Sequence, residues 1–153
     1  MYNLFISLFK SDKRKKEFEK CLLNNIKNSY IEKVFILAED EVFATELAFS
    51  YNEKVEVLHV TGRPTYNTFF DAIKTFGGER NIIANSDIYF DSTLQHAMKY
   101  SGKQVLALTR WDIVGNQIKF LNRNDSQDCW IFNCKPANVH ANFYIGIPGC
   151  DNA

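Results

Sequence analysis

The chain has 153 residues, enough for one domain with a core of its own, and its 46% hydrophobic and 24% charged content is ordinary for a globular protein. Eighteen basic and eighteen acidic residues give zero formal net charge, which excludes bulk attraction to nucleic acid or an anionic membrane. No apolar run approaches the ~20 residues needed to cross a bilayer, and MYNLFISLFK turns polar too soon for a secretory signal.

The pattern alternates from the start. NLFISLF (3–9) is an apolar run of strand length. A helix is expected from about Ser11 to Ile26, where Phe18, Leu22 and Ile26 recur at helical spacing and Ser11 or Asp12 can cap the start. The basic run KSDKRKKEFEK interleaves with Glu17 and Glu19 and reads as a solvated helix face. KVFILA (33–38) is a second strand, EDEVFATELAFSYN a second helix, and KVEVLHV (54–60) a third strand with polar–apolar alternation. TGRPTYNTFFDAIKTFGG follows, a Gly-Pro turn opening a helix that ends at Gly77-Gly78. NIIAN (81–85) is a short fourth strand, Asp91 is a standard helix N-cap before Ser-Thr-Leu, and KQVLALTRW (103–111) is a fifth strand.

Strands alternating with helices over 110 residues predict an α/β fold: a mostly parallel central sheet with helices on both faces. Past Trp111 the texture changes to short strands and turns, in NQIKFLNR, QDCWIFNC and NFYIGIPG, so the C-terminal third is expected to be irregular. No repeat, low-complexity tract or linker divides the chain. Cysteines at 21, 129, 134 and 150 form no CxxC pair, which argues against zinc and for free thiols in a reducing, cytoplasmic setting.

In open α/β sheets ligands gather at the carboxyl ends of the strands. Three polar clusters fall there: Ser7 to Ser11, Thr61 to Asn67, and Asn85 to Asp91. Asp87 has no helix to cap, and a strand-end carboxylate beside a crevice suits a hard cation carrying phosphates. Arg63 and the helix start after Pro64 offer positive charge for the rest. His59, His96 and His140 share no spacing and read as structural or exposed.

The strand followed by Asn85-Ser86-Asp87, with RPTYNTFFDAI before it, resembles glycosyltransferases of the GT-A fold, a nucleotide-diphospho-sugar transferase superfamily. Its members carry an Asp-x-Asp motif at the end of the fourth strand. The resemblance implies Mn²⁺ or Mg²⁺ at Asp87, with Asn85 in place of the first acidic residue. It further implies a UDP- or GDP-linked sugar donor near Ser7, Arg63, Asn67, Asn85 and Asp87, and an unidentified acceptor. SQDCWIF (126–132) and FYIGIPGCDN (143–152) resemble acceptor-side segments. They make Asp151 the general base, Asp128 its rival, and Trp130 a ring able to stack on a sugar. Such enzymes continue past that carboxylate, so residues 1–153 are expected to form one domain shortened at its C-terminus. Two rivals stand beside this reading. A nucleotidylyltransferase on a similar sheet should carry a Gly-rich basic loop after the first strand, where SLFKSDKRKK has Lys10, Lys13 and Arg14 but no glycine. A non-catalytic module that binds a sugar or a protein is favoured by Asn85.

Overall fold

The computed structural model describes residues 1–48, 53–123 and 127–145. Its chain order is β1 (Tyr2–Leu8), α1 (Lys15–Lys27), β2 (Ile31–Ala38), α2 (Glu41–Ala48), β3 (Val55–His59), α3 (Tyr66–Phe76) and β4 (Asn81–Ala84). A 3₁₀ segment (Ser92–Lys99), β5 (Val105–Leu108), β6 (Trp111–Val114), β7 (Gln117–Phe120) and β8 (Cys129–Phe132) complete it. The α/β fold expected from the alternation is present.

Six strands make one sheet in the order β3-β2-β1-β4-β8-β5. β1 lies parallel to β2 and β4, and β2 parallel to β3. β8 runs antiparallel between β4 and β5, pairing Ile83 with Trp130 and Ala107 with Trp130. Both sheet faces are buried, which explains why β1, β2, β4 and β8 read as apolar runs. One face packs Leu4, Ile6, Val34, Ile36 and Ile82 against Phe18 and Leu22 of α1, Phe43 and Leu47 of α2, and Leu94 of the 3₁₀ segment. The other packs Phe5, Phe35, Leu37, Ile83 and Trp130 against Tyr66, Phe69, Phe70 and Ile73 of α3. Each such large side chain contributes roughly 1.5–3 kcal/mol by leaving water. Phe5 and Phe35 stack at 4.7 Å, so the aromatic surplus in the composition is core material.

Local differences from the sequence reading have local causes. α1 begins at Lys15, after a turn in which Arg14 N–H donates to the Ser11 carbonyl, and Arg14 at its N-cap makes no side-chain cap bond. Neither Ser11 nor Asp12 caps the helix. α2 opens at Glu41, where Asp40 accepts from Phe43 N–H at 2.9 Å; positions 49–52 of the expected helix lie outside the described residues. Thr65 caps α3 in a reciprocal pair with Thr68. The expected strand 103–111 breaks at Thr109-Arg110, and Trp111 starts a separate two-stranded hairpin, β6–β7, turned at Gly115 with φ +60°. Asp91 caps the 3₁₀ segment as expected, accepting from Thr93 N–H at 2.9 Å, and Thr93 holds its carboxyl below the usual range.

Candidate functional site

The order β3-β2-β1-β4 means that the chain leaves β1 toward one edge and later returns to β1's other side. The carboxyl ends of β1 and β4 therefore mark the topological switch point, where open α/β sheets bind ligands. One of the clusters expected from the sequence, Asn85 to Asp91, lies there. Asp87, three residues past β4, accepts from Arg14 Nη2 at 2.7 Å through Oδ2. Arg14 belongs to the segment that follows β1, and its Nε donates to Glu17 at 2.8 Å. The guanidinium lies over the Phe18 ring at 4.9 Å, and Phe9 packs edge-on against that ring. The hydrogen bond to Glu17, with those to Asp87 and both charges, raises the Arg14 pKa further and keeps it a cation. Cys21 stands close by, and burial followed by the charge of Asp87 pushes its thiol up to about 11.

What holds Asp87 in place is α1. Asn25, 1% exposed, donates to the Ile88 carbonyl at 2.9 Å and accepts from Phe90 N–H at 3.0 Å. Asn28 donates to the carbonyls of Phe90 and Asp91. A helix thus completes the backbone bonding of the 88–91 loop in the manner of a neighbouring strand.

Beside this pair lies a second polar group. Asn85 N–H donates to the Asp128 carbonyl, and Asn85 Nδ2 to Asp128 Oδ1 at 3.3 Å. Arg110 Nη1 donates to the same Oδ1 at 2.7 Å, while its Nε reaches Asp112 at 2.7 Å. The bond to Asp112 and the charge of Asp128 raise the Arg110 pKa. Asp128 is 6% exposed, and its Oδ2 is enclosed without a hydrogen-bond partner among the described residues. Burial, with the charge of Asp128 behind it, raises the adjacent Cys129 thiol far above its ordinary range.

The remaining expected site residues go elsewhere. Ser7 is half-buried at the end of β1, on the sheet face that carries Phe5. Arg63 is tied to the Ile145 carbonyl at 2.8 Å, and Asn67 makes paired bonds with the backbone of Val139. Both side chains fasten the C-terminal segment to the start of α3, helped by the bond from Tyr66 N–H to the Phe143 carbonyl. These bonds occupy groups expected to meet the donor. Trp130, expected to stack on a sugar, is 9% exposed with its ring packed edge-on to Tyr66 at 5.3 Å, because β8 is inserted in the sheet. Asp151 lies outside the described residues. A separate hollow, lined by Gly78, Arg80, Tyr100, Asn133 and Lys135, opens at the opposite end of the sheet.

The donor set does not fit the Mn²⁺ or Mg²⁺ implied by the family resemblance. Asp87 offers a single carboxylate, one oxygen of which is already bonded to a guanidinium that would repel a dication. Asn85 brings no charge and directs its amide to Asp128. Among the described residues no three His, Cys, Asp or Glu side chains converge into a metal-holding group.

Comparison with known proteins places the architecture. The chain superposes on 4-diphosphocytidyl-2C-methyl-D-erythritol synthase from Anaerococcus prevotii with a TM-score of 0.55 at 15% identity, over 86% of this chain and 69% of that one. It superposes on the galactosyltransferase LgtC in complex with donor and acceptor sugar analogs with a TM-score of 0.53 at 10% identity, over 87% of this chain and 58% of that one. On CMP:2-keto-3-deoxy-manno-octonic acid synthetase complexed with CTP the TM-score is 0.55 at 9% identity, over 86% and 73%. The fold is that of the nucleotide-diphospho-sugar transferases, of the GT-A-like kind. This chain spans less than two thirds of the galactosyltransferase. No protein-family model and no curated protein matches it. No helix among the described residues is long and apolar enough to cross a membrane.

Proposed function

We propose that residues 1–153 form a glycosyltransferase domain that binds a UDP- or GDP-linked sugar in the β1–β4 crevice and transfers the sugar to an acceptor. The observation that carries this reading is the pairing of Arg14 with Asp87 at the topological switch point of a sheet with this fold. We assign Asn85, just past β4, to the nucleotide. In the transfer, an acceptor oxygen attacks the anomeric carbon, the bond to the diphosphate oxygen breaks, and the acceptor proton passes to a carboxylate. Asp151 is the proposed base. Asp128 is a poor one, since Arg110 and Asn85 hold Oδ1 and the group is enclosed. We assign it instead to positioning Asn85. The buried, unbridged thiols Cys21 and Cys129 suit a cytoplasmic site of action.

Calorimetric titration of UDP- and GDP-sugars, in chelator and then in Mn²⁺ or Mg²⁺, tests the reading. Micromolar to millimolar binding of at least one, with slow release of nucleoside diphosphate in the absence of acceptor, is expected. No binding under any condition overturns it, and binding without any turnover reduces the domain to a non-catalytic sugar-nucleotide binder. A nucleotidylyltransferase is the second reading, favoured by a basic side chain after β1 that reaches the crevice. Release of pyrophosphate from a nucleoside triphosphate and a sugar phosphate would identify that activity.

A further inference from the structure

We infer that Arg14 is the diphosphate-binding group of this crevice and stands in for a metal ion, so that donor binding is metal-independent. The inference rests on the donor-binding reading above and names the group that meets the donor's charge.

The argument begins with the misfit of a cation. A divalent ion needs convergent oxygen donors, and this site offers one carboxylate that is already committed. The charge that a diphosphate requires is nonetheless present in another form. Arg14 projects from the segment after β1 across the switch point to the segment after β4, a span of 73 residues in sequence. Its orientation is fixed on three sides, by Asp87, by Glu17 and by the Phe18 ring. A guanidinium has five N–H donors in a rigid fork. The two carboxylates engage Nε and one N–H of Nη2, which leaves three without a partner among the described residues.

Exposure supports the same role. The Arg14 side chain is 36% accessible, so it is reachable by a ligand yet partly shielded from water, where a charge-assisted bond to phosphate is stronger. On this account Asp87 is a positioning residue. It aims the guanidinium, as a carboxylate aims a metal-ligating histidine. Asn85 fits the scheme too, because an amide in place of a second acidic group removes a charge that would repel the diphosphate. Lys13, next in sequence, is exposed and makes no ion pair among the described residues. It serves as a control for bulk charge.

The test is calorimetric titration of UDP, GDP and CDP, each in excess chelator and again in Mn²⁺, on the wild type and on four variants. The expected result is an affinity in chelator within about threefold of that in Mn²⁺. Arg14→Gln should weaken binding at least about tenfold in both buffers, the worth of one charged hydrogen bond. Arg14→Lys should fall between, since it keeps the charge and loses the planar fork. Asp87→Asn retains a neutral acceptor for Arg14 and should weaken binding less than Arg14→Gln does, by the same factor in chelator and in Mn²⁺. Lys13→Gln should have no effect, and unchanged thermal midpoints in all four variants establish that folding is intact. Binding that requires Mn²⁺ and disappears in Asp87→Asn overturns the inference while leaving the donor-binding reading standing. Equal losses in Arg14→Gln and Lys13→Gln also overturn it, by reducing the effect to net charge. Failure of all three nucleotides to bind in either buffer overturns both.

Discussion

Gly77 stands where α3 gives way to β4, in the position where helices so often end on a left-handed glycine. Its φ is −76°, which any residue adopts, so the reason for glycine here is space. A methyl group at Gly77 would lie 2.5 Å from both the Ile73 carbonyl oxygen and Asn81 Oδ1. Neither can retreat cheaply. The Ile73 carbonyl accepts the last helical bond from Gly77 N–H, and Asn81 is fully buried with its side chain bonded to Gly78 on both its donor and acceptor atoms. Gly77→Ala should therefore destabilise the fold by about 1–3 kcal/mol, the usual cost of overpacking. In a chain of this size that lowers the melting midpoint by several degrees, readable by calorimetry. An unchanged midpoint would show that the α3–β4 junction relaxes freely.

At the scale of elements, the α1 helix has two tasks. It covers one sheet face with Phe18 and Leu22, and it supplies hydrogen bonds to the loop that carries Asp87. Asn25→Leu keeps the first task and removes the second. It strands Phe90 N–H and the Ile88 carbonyl in a half-buried place, at about 1 kcal/mol per group. The expected outcome is a lower melting midpoint together with faster amide exchange at Phe90, while α1 itself remains folded by circular dichroism. The apolar half of this arrangement was legible in the sequence, because Phe18, Leu22 and Ile26 recur at helical spacing. Asn25 continues that stripe, and a polar residue on a buried face was the available signal of a loop bound to the helix. Arg14 was harder to find. In KSDKRKKEFEK nothing separates the residue that turns to Asp87 from its solvated neighbours, since the pairing partner is 73 residues away. Asp128 was a candidate, but its pairing with Arg110 was hidden: their meeting depends on β8 entering the sheet between β4 and β5, and strand order is not written in periodicity.

For the molecule as a whole, the legible part and the stable part coincide. β1 is flanked on both sides by parallel strands and covered on both faces, and its apolar run announced this. From Trp111 to Phe120 the sequence is apolar without being buried. Cross-strand pairing puts Trp111, Ile113, Ile118 and Phe120 on one face of the β6–β7 hairpin, with Asp112 and Lys119 opposite each other on the other face. Trp111 is 63% and Ile118 70% exposed, so hydrophobicity alone misleads about where the core ends. An isolated two-stranded hairpin is marginal in water, and this one is reinforced by the contact of Trp111 with Phe120 at 4.9 Å, by the Arg110–Asp112 bond and by Leu121 N–H donating to the Arg110 carbonyl. Native-state hydrogen exchange should therefore separate two levels. Amides of β1, β2 and β4 should open only with global unfolding, on the order of 5–15 kcal/mol, while those of β6–β7 should exchange at roughly 0–2 kcal/mol. Changing Trp111 and Ile118 together to serine should leave the slow class untouched, because neither side chain reaches either sheet face of the core. Protection of the hairpin amides equal to that of β1 in dilute protein would contradict this two-level picture. So would a large fall in β1 protection in the double variant, since both outcomes require the hairpin to share the cooperative unit that the six-stranded sheet forms.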